Sequence, residues 1–157
     1  MKFGRRTILS TVVVVLIGMS GLAAQVEAES AGAKTTISDV RSETRELLQA
    51  LKSYTAEQKD AAMAVTTSTL EKLDQRIDAV ESRVDENWNR MDQAARKQAR
   101  ASLKALRQER VQVAEWYGGM RSSSADAWEH MKRGFSNAYQ ALSDAWEKSE
   151  HEFATND

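Results

Sequence analysis

From residue 33 onward the chain contains no proline and only three glycines, Gly118, Gly119 and Gly134. Nothing in this body therefore removes a backbone donor from a helix, and very little adds the backbone freedom that weakens one. Alanine, glutamate, glutamine, arginine and lysine recur throughout, and these side chains lose little freedom in a helix. The fold class that follows is all-α.

Apolar spacing gives that class an architecture. Ile37, Val40, Thr44, Leu47, Leu51 and Tyr54 step by 3, 4, 3, 4 and 3, a heptad seam that Leu48 widens. It predicts a short helix over about residues 38–53, after a polar linker at 29–36. Thr55 and Gln58 have capping-box spacing and mark one place for a new helix to begin; Ser68 with Glu71 marks another. From Leu70 the stripe runs through Leu73, Ile77, Val80, Val84, Trp88, Met91, Ala95, Ala99, Leu103, Leu106, Arg110, Val113 and Tyr117. This unbroken phase predicts one long central helix, a rod of roughly 75 Å from Ser68 to Tyr117. The expected whole is an extended antiparallel hairpin or coiled coil.

Two near-copies define its last arm. DAWEHMKRGF at Asp126 returns as DAWEKSEHEF at Asp144, an offset of five helical turns, so both lie on one side of a C-terminal helix running from about 125 to 153. Trp128, Phe135, Tyr139, Leu142 and Trp146 share that side. The link Gly118–Ser124 reads as the hairpin turn, with glycines to end one helix and serines to cap the next. Centring it on Arg121 sets Phe135 near Leu106, Tyr139 near Leu103, Trp146 near Ala95 and Ala99, and Phe153 near Trp88. The seam residues are then Trp88, Leu103, Leu106, Trp128, Phe135, Tyr139, Leu142 and Trp146. The seam from Ile37 to Tyr54 outruns what the last helix can cover, so it folds back, pairs with a partner chain, or stays exposed.

The N-terminus carries an address. Lys2, Arg5 and Arg6 precede an apolar run from Ile8 to Gly21 and a small-x-small site ending at Ala28, the pattern of a signal peptide over residues 1–28. The expected location is the periplasm; an uncleaved segment would instead anchor the chain in the inner membrane, facing the periplasm. There are no cysteines, which removes disulfides, thiolate chemistry and a lipid-modified cysteine. Cleavage would take three basic residues and one acid, so the formal charge of -1 would fall to about -3. Nucleic acid is not an expected partner of such a body.

No residue pattern points to catalysis, a cofactor or a metal. The two histidines, His130 and His151, lack a glutamate three residues earlier, and three body glycines cannot build a phosphate-cradling loop. The aromatic face is read first as a seam between helices, and second as an amphipathic surface for lipid or the outer membrane. The basic run from Arg96 to Arg110 reads first as a solvated face, and second as a grip on lipopolysaccharide phosphates or an acidic partner.

The stretch from Leu70 to Phe153 resembles a family of small bacterial helical coiled-coil proteins catalogued as stress-response proteins. The resemblance is carried by LEKLDQRID, LKALRQER and SADAWEHMKRGFSNAYQALSDAWEK, in particular Ala127, Trp128, Lys132, Gly134, Phe135, Ala138, Tyr139, Leu142 and Ala145. It implies a helical fold and an envelope-stress role, and supplies no catalytic residues. The expectation is an exported non-catalytic protein with a structural, interaction or holdase-like role, self-associating or bound to another envelope protein, with peripheral membrane contact as the alternative.

Overall fold

The computed structural model describes residues 36–154; the leader read at 1–28 and the linker before Thr36 lie outside them. The protein is all-α, with four helices among the described residues: α1 (Ile37–Ser53), α2 (Lys59–Asn87), α3 (Gln93–Ser122) and α4 (Ala125–Ala154). The short first helix and the C-terminal helix fall where their periodicity places them.

Each boundary has a local cause. Thr36 opens α1 with a reciprocal capping box to Asp39. After α1 ends, Thr55 and Gln58 form a second box around one 3-10 turn, Ala56–Gln58, and α2 begins. Ser68 starts nothing. The threonines around it return their hydroxyls to carbonyls four residues back (Thr66 to Ala62, Thr67 to Met63, Thr69 to Val65), and α2 runs straight through.

The central rod, however, is two helices. A 3-10 turn at Trp88–Arg90 and an extended Met91 interrupt it, and Asp92 starts α3 by accepting a hydrogen bond from the Ala95 amide at 2.7 Å. The apolar stripe hides this break because it keeps its phase across the corner. The capping role of Asp92 is indistinguishable in sequence from an ion pair with Arg96 one turn on. With α2 and α3 folded against each other, the extended hairpin becomes a bundle.

The α3–α4 turn is also shorter and later than the glycine pair suggested. Gly118 and Gly119 lie within α3, and only Ser123 and Ser124 link it to α4. The serines close α3: Ser122 and Ser123 hydroxyls donate to the Gly118 and Met120 carbonyls, both at 2.9 Å. A turn at Arg121 would set Gly134 against Gln108. It meets Trp116 instead, about two helical turns further along α3, and the pairings expected from that register move with it.

Cross-chain contacts give the topology. Glu43 meets Arg76 between α1 and α2; Thr67 meets Tyr117 and Asp74 meets Arg110 between α2 and α3. Gln98 meets Glu152 between α3 and α4, and Arg41 meets Glu147 between α1 and α4. Every sequential pair is antiparallel and α4 closes on α1, an up-down-up-down four-helix arrangement in which α3 and α4 share the most extensive interface. The Ile37–Tyr54 seam thus folds back within the chain, where Val40, Leu47 and Leu51 join a core with Leu73, Val80, Leu106, Val113, Met120 and the α4 aromatics.

The glycines divide by environment. A Cβ on Gly134 would lie 2.2 Å from Trp116 Cε3, so Gly134 is the notch that seats the Trp116 ring. A Cβ on Gly118 meets nothing within 4 Å. Gly118→Ala is therefore expected to stabilise the protein by about 0.5–1 kcal/mol, since alanine removes only unfolded-state freedom. Gly134→Ala is expected to destabilise it by about 1–3 kcal/mol, because a rigid ring must move. Chemical denaturation of both variants checks this, and equal effects would refute the notch.

Candidate functional site

The aromatic residues of α4 form the interior of the bundle. Trp128, Phe135, Tyr139, Leu142 and Trp146 are each 2% exposed or less, and Leu106 from α3 is fully buried among them. Leu103 is half-buried at the margin of the same core. Trp88 stands apart: it is half-buried at the α2–α3 corner, with the Arg96 and Arg100 guanidinium carbons 5.5 and 4.9 Å from its ring centroid. The face that a lipid-binding reading of α4 needs is therefore turned inward, and reaching lipid with it would require the bundle to open.

At one end of the bundle this ribbon acquires a polar clasp. The carbonyl of Tyr54, at the C-terminus of α1, accepts from the Trp128 indole at 3.0 Å and from the Lys132 ammonium at 2.9 Å. Lys132 is only 5% exposed, and it also donates to Glu129 at 2.8 Å. A cation at a helix C-terminus meets the negative end of the helix dipole, so the clasp joins α1 to α4 by charge as well as geometry. Beside it Lys59, the first residue of α2, donates to the Ser123 carbonyl at 3.0 Å and closes the end of α3 in the same manner.

The other polar groups pair between helices. Arg41–Glu147, Arg76–Glu43, Arg83–Glu150, Arg107–Glu81 and Arg110–Asp74 are ion pairs across four of the helix interfaces. Inside the α1–α4 interface the hydroxyls of Thr44 and Ser143 bond at 2.9 Å, both residues buried. The hydrogen bond from Arg76 holds the Glu43 carboxyl below its ordinary value of 4.5, and that from Arg41 does the same for Glu147. Burial pushes the Tyr139 phenol up. The pairs Glu86–Arg90, Asp92–Arg96, Glu129–Arg133 and Asp144–Lys148, which one-helix spacing favours, do not form among the described residues; Glu129 turns to Lys132.

Both histidines are surface residues. His130 sets its ring edge-on to Trp116 at 5.7 Å, and His151 places Nε2 3.6 Å from a Glu147 oxygen. Among the described residues no group of three or more histidines and acids could hold a metal, and no helix is long and apolar enough to cross a membrane. Several surface depressions follow one helix or one pair: Arg100, Leu103, Lys104 and Arg107 of α3 line one, and Glu43, Leu47, Val65 and Lys72 line another between α1 and α2. A depression walled by a single helix cannot enclose a substrate.

The residue that sequence reasoning missed is Lys132. It falls in step between Trp128 and Phe135, so a lysine inside the aromatic stripe was the available signal, and the partner it implies is a buried acceptor. No protein-family model, curated protein or solved structure matches the chain. The resemblance to stress-response proteins gains no support from these comparisons.

Two expectations follow. Lys132→Met should cost about 1–3 kcal/mol, since it strips a charged donor from a part-buried carbonyl. Combining it with Trp128→Phe should cost less or more than the sum, because both donors serve one acceptor, and strict additivity in denaturant melts would show that the clasp is not a unit. The second concerns acid. Glu43 and Glu147 are held below 4.5 in the folded protein, so their stabilisation is complete above pH 4.5 and is lost as pH falls below it. Thermal melts should be flat near neutrality and decline in acid, and Glu147→Gln should flatten that decline.

Proposed function

We propose that this protein is an exported, non-catalytic helical protein of the bacterial envelope that acts by presenting a rigid charged surface to other envelope components. The observation that carries this reading is where the chemistry-bearing residues go. Arg41, Arg76, Arg83 and Arg110 are engaged with carboxylates in pairs that fasten helices together, and the aromatic residues of α4 fill the core. The surface then remains as the working part. Export is supported by the residues at the N-terminus: a basic start, an apolar run and a small-x-small site ending at Ala28.

Within the structural, interaction and holdase-like roles considered, interaction has the most support. A holdase needs apolar surface for unfolded clients, and the large apolar residues exposed among those described are Val65 and Val111. A role in envelope stress belongs to the same proposal and rests on the resemblance of residues 70–153 alone.

Complementation in a strain lacking the protein tests the reading. The chain should be recovered from the periplasmic fraction with a mass lacking residues 1–28. A His130→Ala, His151→Ala double variant should restore tolerance of envelope stress as well as the wild type does. Retention in the cytoplasm would contradict export, and loss of complementation in a double variant of unchanged helicity would contradict a non-catalytic role.

A further inference from the structure

Residues 93–108, QAARKQARASLKALRQ, contain Arg96, Lys97, Arg100, Lys104 and Arg107 and no acid, in a chain whose remaining charges are net acidic. We infer that the outward face of α3 which these residues build, running from Trp88 to Val111, is a docking surface for an anionic phospholipid bilayer.

Several arginines elsewhere are engaged between helices, whereas most of those on this face are not. Arg41, Arg76, Arg83 and Arg110 each face a carboxylate on a neighbouring helix. On α3, Ala99, Leu106 and Val113 point into the core, while Gln98 and Ser102 are held by Glu152 of α4. The opposite side of the helix, one hundred degrees per residue away, carries Lys97, Arg100, Lys104, Gln108 and Val111, all exposed. Lys97, Arg100 and Lys104 form no ion pair among the described residues. Arg107 does pair with Glu81, but two-thirds of its side chain remains open to solvent.

Two apolar features lie within this charge. Val111, 55% exposed, is the more exposed of the two large apolar residues found on the surface among the described residues, and with Leu103 it lines the same shallow trough as Arg100, Lys104 and Arg107, where Glu109 is the one acid. At the other end the Trp88 indole is half-buried beneath the Arg96 and Arg100 guanidiniums. Long basic side chains with flexible stems around shallow apolar contacts suit the headgroup layer, where the charge stays with phosphate while the stems and the indole sit deeper. The basic stretch spans about 17 Å, enough to meet several headgroups at once.

A protein partner fits this face less well. A stable protein interface buries about 800 Å² on each side around a packed apolar centre. Here one valine is exposed along a single helix, and no second element lines the trough beside it. A bilayer asks for charge density and no complementary shape. This surface is distinct from the inward aromatic face of α4 and works with the bundle closed, and it does not depend on the interaction reading proposed above.

The test uses the unit Lys34–Asp157, which is compact by itself and holds the hydrophobic core of the described residues, so that the apolar run near the N-terminus cannot insert into the vesicles. It should co-sediment with vesicles containing about 30 mol % phosphatidylglycerol, at least about ten-fold more tightly than with pure phosphatidylcholine, and should be released by about 0.5 M salt. Lys97→Glu with Lys104→Glu should weaken binding at least about ten-fold at unchanged helicity, whereas Arg45→Glu with Arg133→Glu, the same charge change on exposed residues of α1 and α4, should change it less than about two-fold. Equal loss in the two double variants, equal binding to both vesicle types, or no vesicle binding would each overturn the proposal. Capture of polyglutamate without capture of anionic vesicles would assign the face to an acidic protein and overturn it as well.

Discussion

The fold depends on burying one ribbon of rings. Trp128, Phe135, Tyr139, Leu142 and Trp146 advance along α4 in steps that keep them on a single side, and no single neighbouring helix is wide enough to cover side chains of that size. The α3–α4 hairpin covers part of the ribbon, α1 folds back over another part, and α2 completes the enclosure. Each aromatic contributes about 1.5–3 kcal/mol of burial, a share of the total that offsets the ordering of four helices. Without the ribbon, α1 would have little to fold against.

Polar groups determine how the helices sit on it. Trp128 and Lys132 bring two donors to the Tyr54 carbonyl, which fixes where α1 ends along α4. About three turns away, Thr44 and Ser143 fix the same pair of helices in the core, and Arg41 with Glu147 marks the edge beside them. These contacts lie along one interface at increasing distance from the corner, so α1 can neither slide nor rotate without breaking several together. The same use of charge shapes the exterior: arginines of α1, α2 and the second half of α3 are employed between helices, while the first half of α3 keeps a basic excess.

Much of this was legible in the sequence. The all-α class, α1, the Thr55–Gln58 corner and α4 follow from capping pairs and from apolar spacing, because those signals are local and nothing tertiary overrides them. The corner at Trp88 was not legible, since an apolar stripe in unbroken phase is equally consistent with a straight helix and with two helices that pack on the same core. The α3–α4 turn was misplaced for a different reason. A glycine pair usually signals the end of a helix, yet Gly119 lies in close contact range of Met131 and the helix passes through it. Gly134 performs the corresponding task for Trp116, and only knowledge of the register distinguishes a notch from a break. Lys132 was readable as an anomaly in the stripe, although its acceptor, a backbone carbonyl seventy-eight positions away, was not.

The account stands on α1 closing over the α4 ribbon within one chain. The chain lacks cysteine, so Thr44→Cys with Ser143→Cys introduces the only thiols, at positions whose hydroxyl oxygens are 2.9 Å apart. Mild oxidation should give a cross-linked monomer in a yield independent of protein concentration, read as a mobility shift on a non-reducing gel. Free thiols after oxidation, or disulfide-linked dimers that increase with concentration, would show that α1 does not lie on α4 of its own chain.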